Sequence, residues 1–189
     1  MSGAPIELYL KHLDKIFNQE PEFFSFASMD EISNPVVSII YKNVPETGYI
    51  TGLTFGLSTA LHSEWINGRP ELMICVKSED VKWLHSIAFL AALHRSTSLF
   101  SYGSVFDLGS EISDESKMSC VFIYAPAISE ASDFLDINIG EYNINIAGVY
   151  LIYYDEAQKM RQSNFRKLWD LKDYDIYSVN RKDLASLMI

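Results

Sequence analysis

Two hydrophobic periods alternate along the chain, and each switch between them predicts an element boundary. After Pro5, Tyr9, Leu13, Ile16 and Phe17 recur at helical spacing, giving one apolar stripe on a polar segment. Pro5 suits a first helical turn, with Ser2 or Gly3 before it as cap, and Pro21 ends the helix. Residues 36–41 and 49–58 then predict strands, joined by a turn containing Pro45 and Gly48. Residues 71–77 predict a third strand, with Leu72, Ile74 and Val76 on one face.

A second helix runs from a cap at Ser78 or Asp80 to about Arg95 and is apolar almost all round. Its narrow polar strip of Lys82, His85 and Ser86 continues into Phe89 and Leu93, so that part of the surface needs a cover. Residues 118–124 predict another strand, and a hairpin follows. Leu135, Ile137 and Ile139 precede Gly140-Glu141, and Tyr142, Ile144 and Ile146 follow it, with Gly140 suited to the first central position of a type II′ turn. A long strand over 144–154 leads to a helix whose favourable end for negative charge holds Asp155 and Glu156. Met160, Leu168 and Trp169 supply its buried contacts. The pattern predicts one α+β domain over residues 1–189, a mostly antiparallel mixed sheet packed by helices.

Composition supports a packed core: 48% of residues are hydrophobic and 21% charged, with eleven Tyr, eleven Phe and three Trp. The two cysteines, Cys75 and Cys120, sit inside apolar runs, as small core residues do, and suggest a reducing compartment. The start, MSGAPIELYLKHL, lacks a basic stretch followed by an apolar one, so a cytoplasmic location is expected. Residues 47–63 carry no Asp, Glu, Lys or Arg, yet they contain six Ser/Thr and alternate at strand spacing, which argues against a membrane span.

Charge is distributed unevenly. Residues 1–158 hold 8 basic against 21 acidic side chains, and residues 159–189 hold 7 against 4, for a net charge of -10. Such a body repels phosphate backbones, which disfavours direct nucleic-acid binding, and steers basic proteins toward it. Between Asp107 and Glu141 eight carboxylates accompany one base, Lys117. Interleaved with Tyr102, Phe106, Phe134 and Tyr142, they predict a surface for a basic protein partner; the structural alternative is a set of acidic turns with aromatics pointing inward.

Catalytic signatures are sparse. His85 and His94 fall out of phase on their helix, and His62-Ser63-Glu64 lacks a third ligand nearby, so no metal site is expected. No Gly-x-Ser-x-Gly elbow or phosphate-binding glycine loop occurs, and neither cysteine neighbours a group that would lower its pKa. Asp107, Glu111, Asp114 and Glu115 lie in a Ser/Gly/Asp loop, where a solvated carboxylate makes a weak acid catalyst. No cofactor and no enzymatic activity are expected. The competing reading is a small hydrolase built on the His62–Glu64 loop, which requires a pocket with a second titratable group beside His62.

Six blocks carry a resemblance: FGLS at 55–58, ELMI at 71–74, FSYGSVFDLG at 100–109, the stretch 116–126 ending in Ala-Pro, INIAGVYLIY at 144–153, and SVNR at 178–181. In this order they resemble the Suppressor of fused family over residues 36–185, as a small bacterial version without the additional carboxyl-terminal domain of animal members. The resemblance implies a non-catalytic binding protein. Animal members restrain zinc-finger transcription factors, gripping a short peptide partly by strand addition. Small bacterial members include immunity proteins that neutralise toxins, so it implies an inhibitor of a basic toxin, with a regulator of an endogenous cytoplasmic protein as alternative. Ser104 departs from the pattern, since the family commonly carries Asp after Tyr-Gly. The expected contact residues are Tyr102, Ser104, Phe106, Asp107, Glu111, Asp114 and Glu115, with His62, Glu64 and Trp65 as second choice.

Overall fold

A computed structural model describes residues 4–26, 35–163 and 165–188. Helix α1 (Pro5–Phe17) buries Tyr9 and Leu13 completely and Ile16 and Phe17 in part. The predicted caps Ser2 and Gly3 lie outside the described residues; at Ala4 the main-chain N–H donates to the Glu7 carboxylate at 3.0 Å, occupying one of the helix's orphan donors. The chain leaves the helix at Asn18, in left-handed conformation with its N–H on the Asp14 carbonyl, ahead of the predicted stop at Pro21.

One eight-stranded sheet organises the rest. Its strands are β1 (Glu22–Phe26), β2 (Val36–Lys42), β3 (Ile50–Phe55), β4 (Arg69–Val76), β5 (Val105–Asp107), β6 (Cys120–Tyr124), β7 (Ile137–Asn138) and β8 (Asn143–Ile152), in the order β1-β2-β3-β4-β8-β6-β5, with β7 also on β8. All neighbours are antiparallel except β4 and β8, which run parallel. The mixed, mostly antiparallel α+β architecture predicted from spacing is the one observed. Neither β1 nor β5 was expected; both are short, and β5 sits among turn residues.

Period-two burial separates the faces. Leu72, Ile74 and Val76 of β4, Val121 and Ile123 of β6, and Val149 and Leu151 of β8 pack under α2 (Lys82–His94). On the opposite face Ile39, Leu53, Met73, Ile144 and Ile146 meet α1. Further along that face, Cys120, Phe122, Tyr150 and Ile152 meet α3 (Tyr154–Gln162), α4 (Arg166–Trp169) and the C-terminal segment. Gly52 allows α2 to seat this closely, because a Cβ there would lie 2.5 Å from the Leu84 side chain. The uncharged stretch 47–63 contains β3 and its flanking turns, and no helix among the described residues is long and apolar enough to cross a membrane.

Gly140-Glu141 forms the predicted hairpin connection, with the Ile139 N–H on the Tyr142 carbonyl at 3.2 Å. Its first arm is shorter than expected. Residues 131–134 form a 3-10 turn that buries Phe134, Asp136 takes a positive φ, and Leu135 remains half-exposed. Asp155 and Glu156 do open α3, but Glu156 is fully buried and holds Arg181, so its role is not that of a solvated charge at a helix end.

Candidate partner-binding surface

Beyond α2 the chain makes the Tyr102-Gly103 turn and enters the sheet. The Gly103 N–H donates to the Ile123 carbonyl at 2.8 Å, and the Ile123 N–H returns to the Ser104 carbonyl at 2.9 Å. Leu108 donates to Ser119 at the other end of the ladder. With Ser104 and Leu108 facing β6, antiparallel alternation turns the main-chain groups of Val105 and Asp107 outward. Strand β5 is last in the sheet order, so this outer side forms the sheet's edge.

The side chains around that edge have divided roles. Tyr102 is 52% exposed and leans on Tyr124, with ring centroids 5.4 Å apart. Partial burial, then the neighbouring Tyr124, raises its hydroxyl pKa. Phe106 turns inward to Phe100 (5.3 Å) and His94 (5.4 Å), so it holds the strand down and is not a free aromatic anchor. Phe134 is fully buried, and Tyr142 lies half-buried beneath Arg69. The inward alternative therefore describes most of these aromatics, and Tyr102 is the exception.

The acidic loop is similarly divided. Asp114 is fully exposed, 3.5 Å from Lys82, and Glu111 pairs with Lys117 at 2.9 Å on the surface. Asp107 lies outward and caps its own turn, accepting the Gly109 N–H at 2.8 Å. Glu115 instead anchors the loop: it accepts the Trp83 indole N–H at 2.9 Å and the Ser78 hydroxyl at 2.5 Å. Ser113 adds a bond to Asp80 at 2.6 Å, fastening the loop over the start of α2.

In the second-choice loop, His62 stacks on Trp65 at 5.3 Å, and its Nδ1 accepts the Glu64 main-chain N–H at 3.4 Å. These contacts supply a ring and a main-chain group; they do not supply the second titratable side chain that a hydrolase requires. Among the described residues no group of three or more His, Cys, Asp or Glu could hold a metal ion. Trp65 also lines a cleft of about 210 Å³ with Pro70, Phe100, Tyr102, Leu135 and Ala147, so the two loops singled out in the sequence share one wall. Arg69 and Asn145, which the sequence reading passed over, line the adjoining cleft. The signal missed for Asn145 is a polar residue set between the isoleucines of β8.

No protein-family model matches the chain, and no curated protein sequence matches it. Solved structures do. A putative SUFU (suppressor of fused protein) homolog from Neisseria gonorrhoeae FA 1090 superposes with a TM-score of 0.71 at 16% identity, covering 94% of each chain. The chain has the Suppressor of fused fold. A chain of the Sufu–Fu complex matches with a TM-score of 0.72 at 12% identity, covering 99% of this chain and 95% of that one. Drosophila Suppressor of Fused matches with a TM-score of 0.71 at 12% identity over 97% of this chain, which spans about half (52%) of the Drosophila chain.

The Suppressor of fused blocks in the sequence correspond to contacts in this fold. FGLS and ELMI meet where Gly56 and Ser58 donate to the buried Glu71 carboxylate, and SVNR ends in the arginine that holds Glu156.

Proposed function

We propose that this chain is a non-catalytic protein-binding module acting in the cytoplasm, and that it neutralises a basic toxin by occluding it. The observation that carries this reading is the β5 edge, where outward main-chain groups at Val105 and Asp107 lie beside exposed Tyr102. A partner segment adds there as a further strand, and its main chain supplies affinity. Exposed Asp107, Glu111 and Asp114 give the approach its acidic field, which speeds encounter with a basic protein more than it tightens the complex. Ser104 joins the ladder through its carbonyl, while Phe106 and Glu115 hold the surface in shape. Trp65, with His62 and Glu64 behind it, forms the far rim.

Protein capture fits the Sufu–Fu complex, whose chain shares this fold. Among the described residues no contact of His62 favours the hydrolase alternative. The test is co-expression with the product of the reading frame adjacent to this gene. Restored growth supports immunity. The D107K/D114K variant should then lose protection and slow association by about tenfold or more at low salt. Unchanged protection and on-rate in that variant would remove this surface. A neighbouring product that is bound but harmless would leave protein capture standing and overturn the toxin assignment.

A further inference from the structure

Next to the Trp65 rim lies an open cleft of about 740 Å³, lined by Trp65, Arg69, Leu135, Tyr142, Asn143 and Asn145 among others. Its volume falls in the range of ligand sites. Its floor is held together by one side chain. Asn145 donates its amide to the Asn67 carbonyl at 2.8 Å and accepts the Asp136 N–H at 2.8 Å, tying two loops to β8 in one wall. Gly68, at φ +113, fits against that amide, and a Cβ there would lie 2.6 Å from the Asn145 Nδ2.

Arg69 stands on this floor in a fixed pose. Its guanidinium lies 3.9 Å over the Tyr142 ring, and Nη1 donates to the Ser58 carbonyl at 3.1 Å. Behind it the Ser58 hydroxyl bridges Tyr142 (3.3 Å) and the buried Glu71 carboxylate (2.6 Å), so Arg69 rests on a polar network that packing immobilises. Glu71 is itself occupied by Thr54, Gly56 and Ser58. No carboxylate lies within 4.0 Å of Arg69 among the described residues, in a chain with 25 acidic side chains. A guanidinium in that pose keeps donors for a planar anion, and stacking on an aromatic ring leaves its edge open for paired bonds.

We propose that this cleft recognises a carboxylate carried by an apolar-flanked peptide segment, with Arg69 binding the carboxylate and Trp65 and Leu135 contacting the flanking side chains. A single cation with Asp136 and Glu141 nearby suits one negative charge and disfavours the double charge of a phosphate. The proposal goes beyond the β5 edge reading: it concerns the adjoining cleft, which borders that surface at Trp65, and ligands of opposite charge.

Three acetylated tripeptides test it on the full chain: Leu-Asp-Leu amide, Leu-Asn-Leu amide, and Leu-Asn-Leu with a free carboxyl terminus. The readout is the NMR shift of the Trp65 indole N–H and the Arg69 Nε–H. At least one carboxylate peptide should give saturable shifts with affinity about tenfold or more above the uncharged amide, the difference expected of a charge-assisted bond. Whichever carboxylate binds identifies its source as a side chain or a chain end. R69Q, checked for an unchanged melting curve, should reduce both carboxylate peptides to the level of the amide. Equal binding of all three peptides, no saturable shift, tighter binding of inorganic phosphate, or full binding by R69Q would each overturn the proposal. The D107K/D114K variant should bind the peptides normally, so this site and the β5 edge fail independently.

Discussion

Arg181 and Glu156 form a buried two-pronged ion pair: Nη1 meets Oε1 and Nη2 meets Oε2, each at 2.6 Å, with the carboxylate fully inaccessible. Further hydrogen bonds surround the pair. The carboxylate also accepts the Leu184 and Tyr153 N–H groups, and the guanidinium donates to the Leu151 and Lys182 carbonyls. The pair therefore fastens the C-terminal segment to β8 and to the start of α3. Removing one partner leaves the other charge buried and alone, so R181M should cost about 3–5 kcal/mol in urea unfolding. A loss under about 1 kcal/mol would mean that water reaches the site and the segment is held by its apolar contacts instead.

Adjacent carboxylates of the acidic loop should respond differently to substitution. E115A strips the acceptor from the Trp83 indole, a fully buried side chain, and should cost about 1–3 kcal/mol with a shift in tryptophan emission. D114A touches a solvated group whose described contact is a surface ion pair, and should leave the unfolding midpoint at its wild-type value. Equal costs for the two would refute this division of the loop.

Most helices and strands were legible as apolar segments bounded by turn residues. α1 carries a single stripe, α2 a long apolar run of helical length, and β4 and β8 shorter runs buried on both faces. Strand β5 was not legible: with three residues, it has no period, and a loop over residues 108–119 separates it from its partner β6. The acids were harder still. Glu71, Glu115 and Glu156 look like Asp114 in composition, and what separates them is the donors that the fold brings close. The same holds for Arg69, whose neighbours Ser58 and Tyr142 arrive from two other loops. Of these residues only Ser58 and Glu71 fall inside the blocks that carry the Suppressor of fused resemblance, and the blocks did not give their chemistry.

Glu71 should give the protein a distinctive pH response. Burial raises its pKa, against hydrogen bonds from Ser58, Thr54 and Gly56 that lower it. A carboxyl whose folded pKa is raised contributes stability that is present below its unfolded value, about 4.3, and is lost as pH rises through the folded value. The stability of wild type relative to E71Q should therefore fall as pH is raised from the acidic side toward neutrality. Paired denaturation curves across that range check the sign, and a difference that grows with pH would show that the four donors outweigh burial.

Leu84 of α2 packs directly over Gly52 of β3. G52A puts a methyl group where the Leu84 side chain already lies, at 2.5 Å, and rigid packing leaves little room to yield, so the variant should lose about 1–3 kcal/mol. L84A alone opens a cavity and should cost about 2–5 kcal/mol, since Leu84 is fully buried. Combined, the new methyl group occupies part of the vacated space, so the double variant should be more stable than the sum of the two losses predicts, by about 0.5 kcal/mol or more. Strict additivity would mean that α2 shifts away from the sheet to accommodate the alanine, and that the glycine is not what sets the depth of the helix.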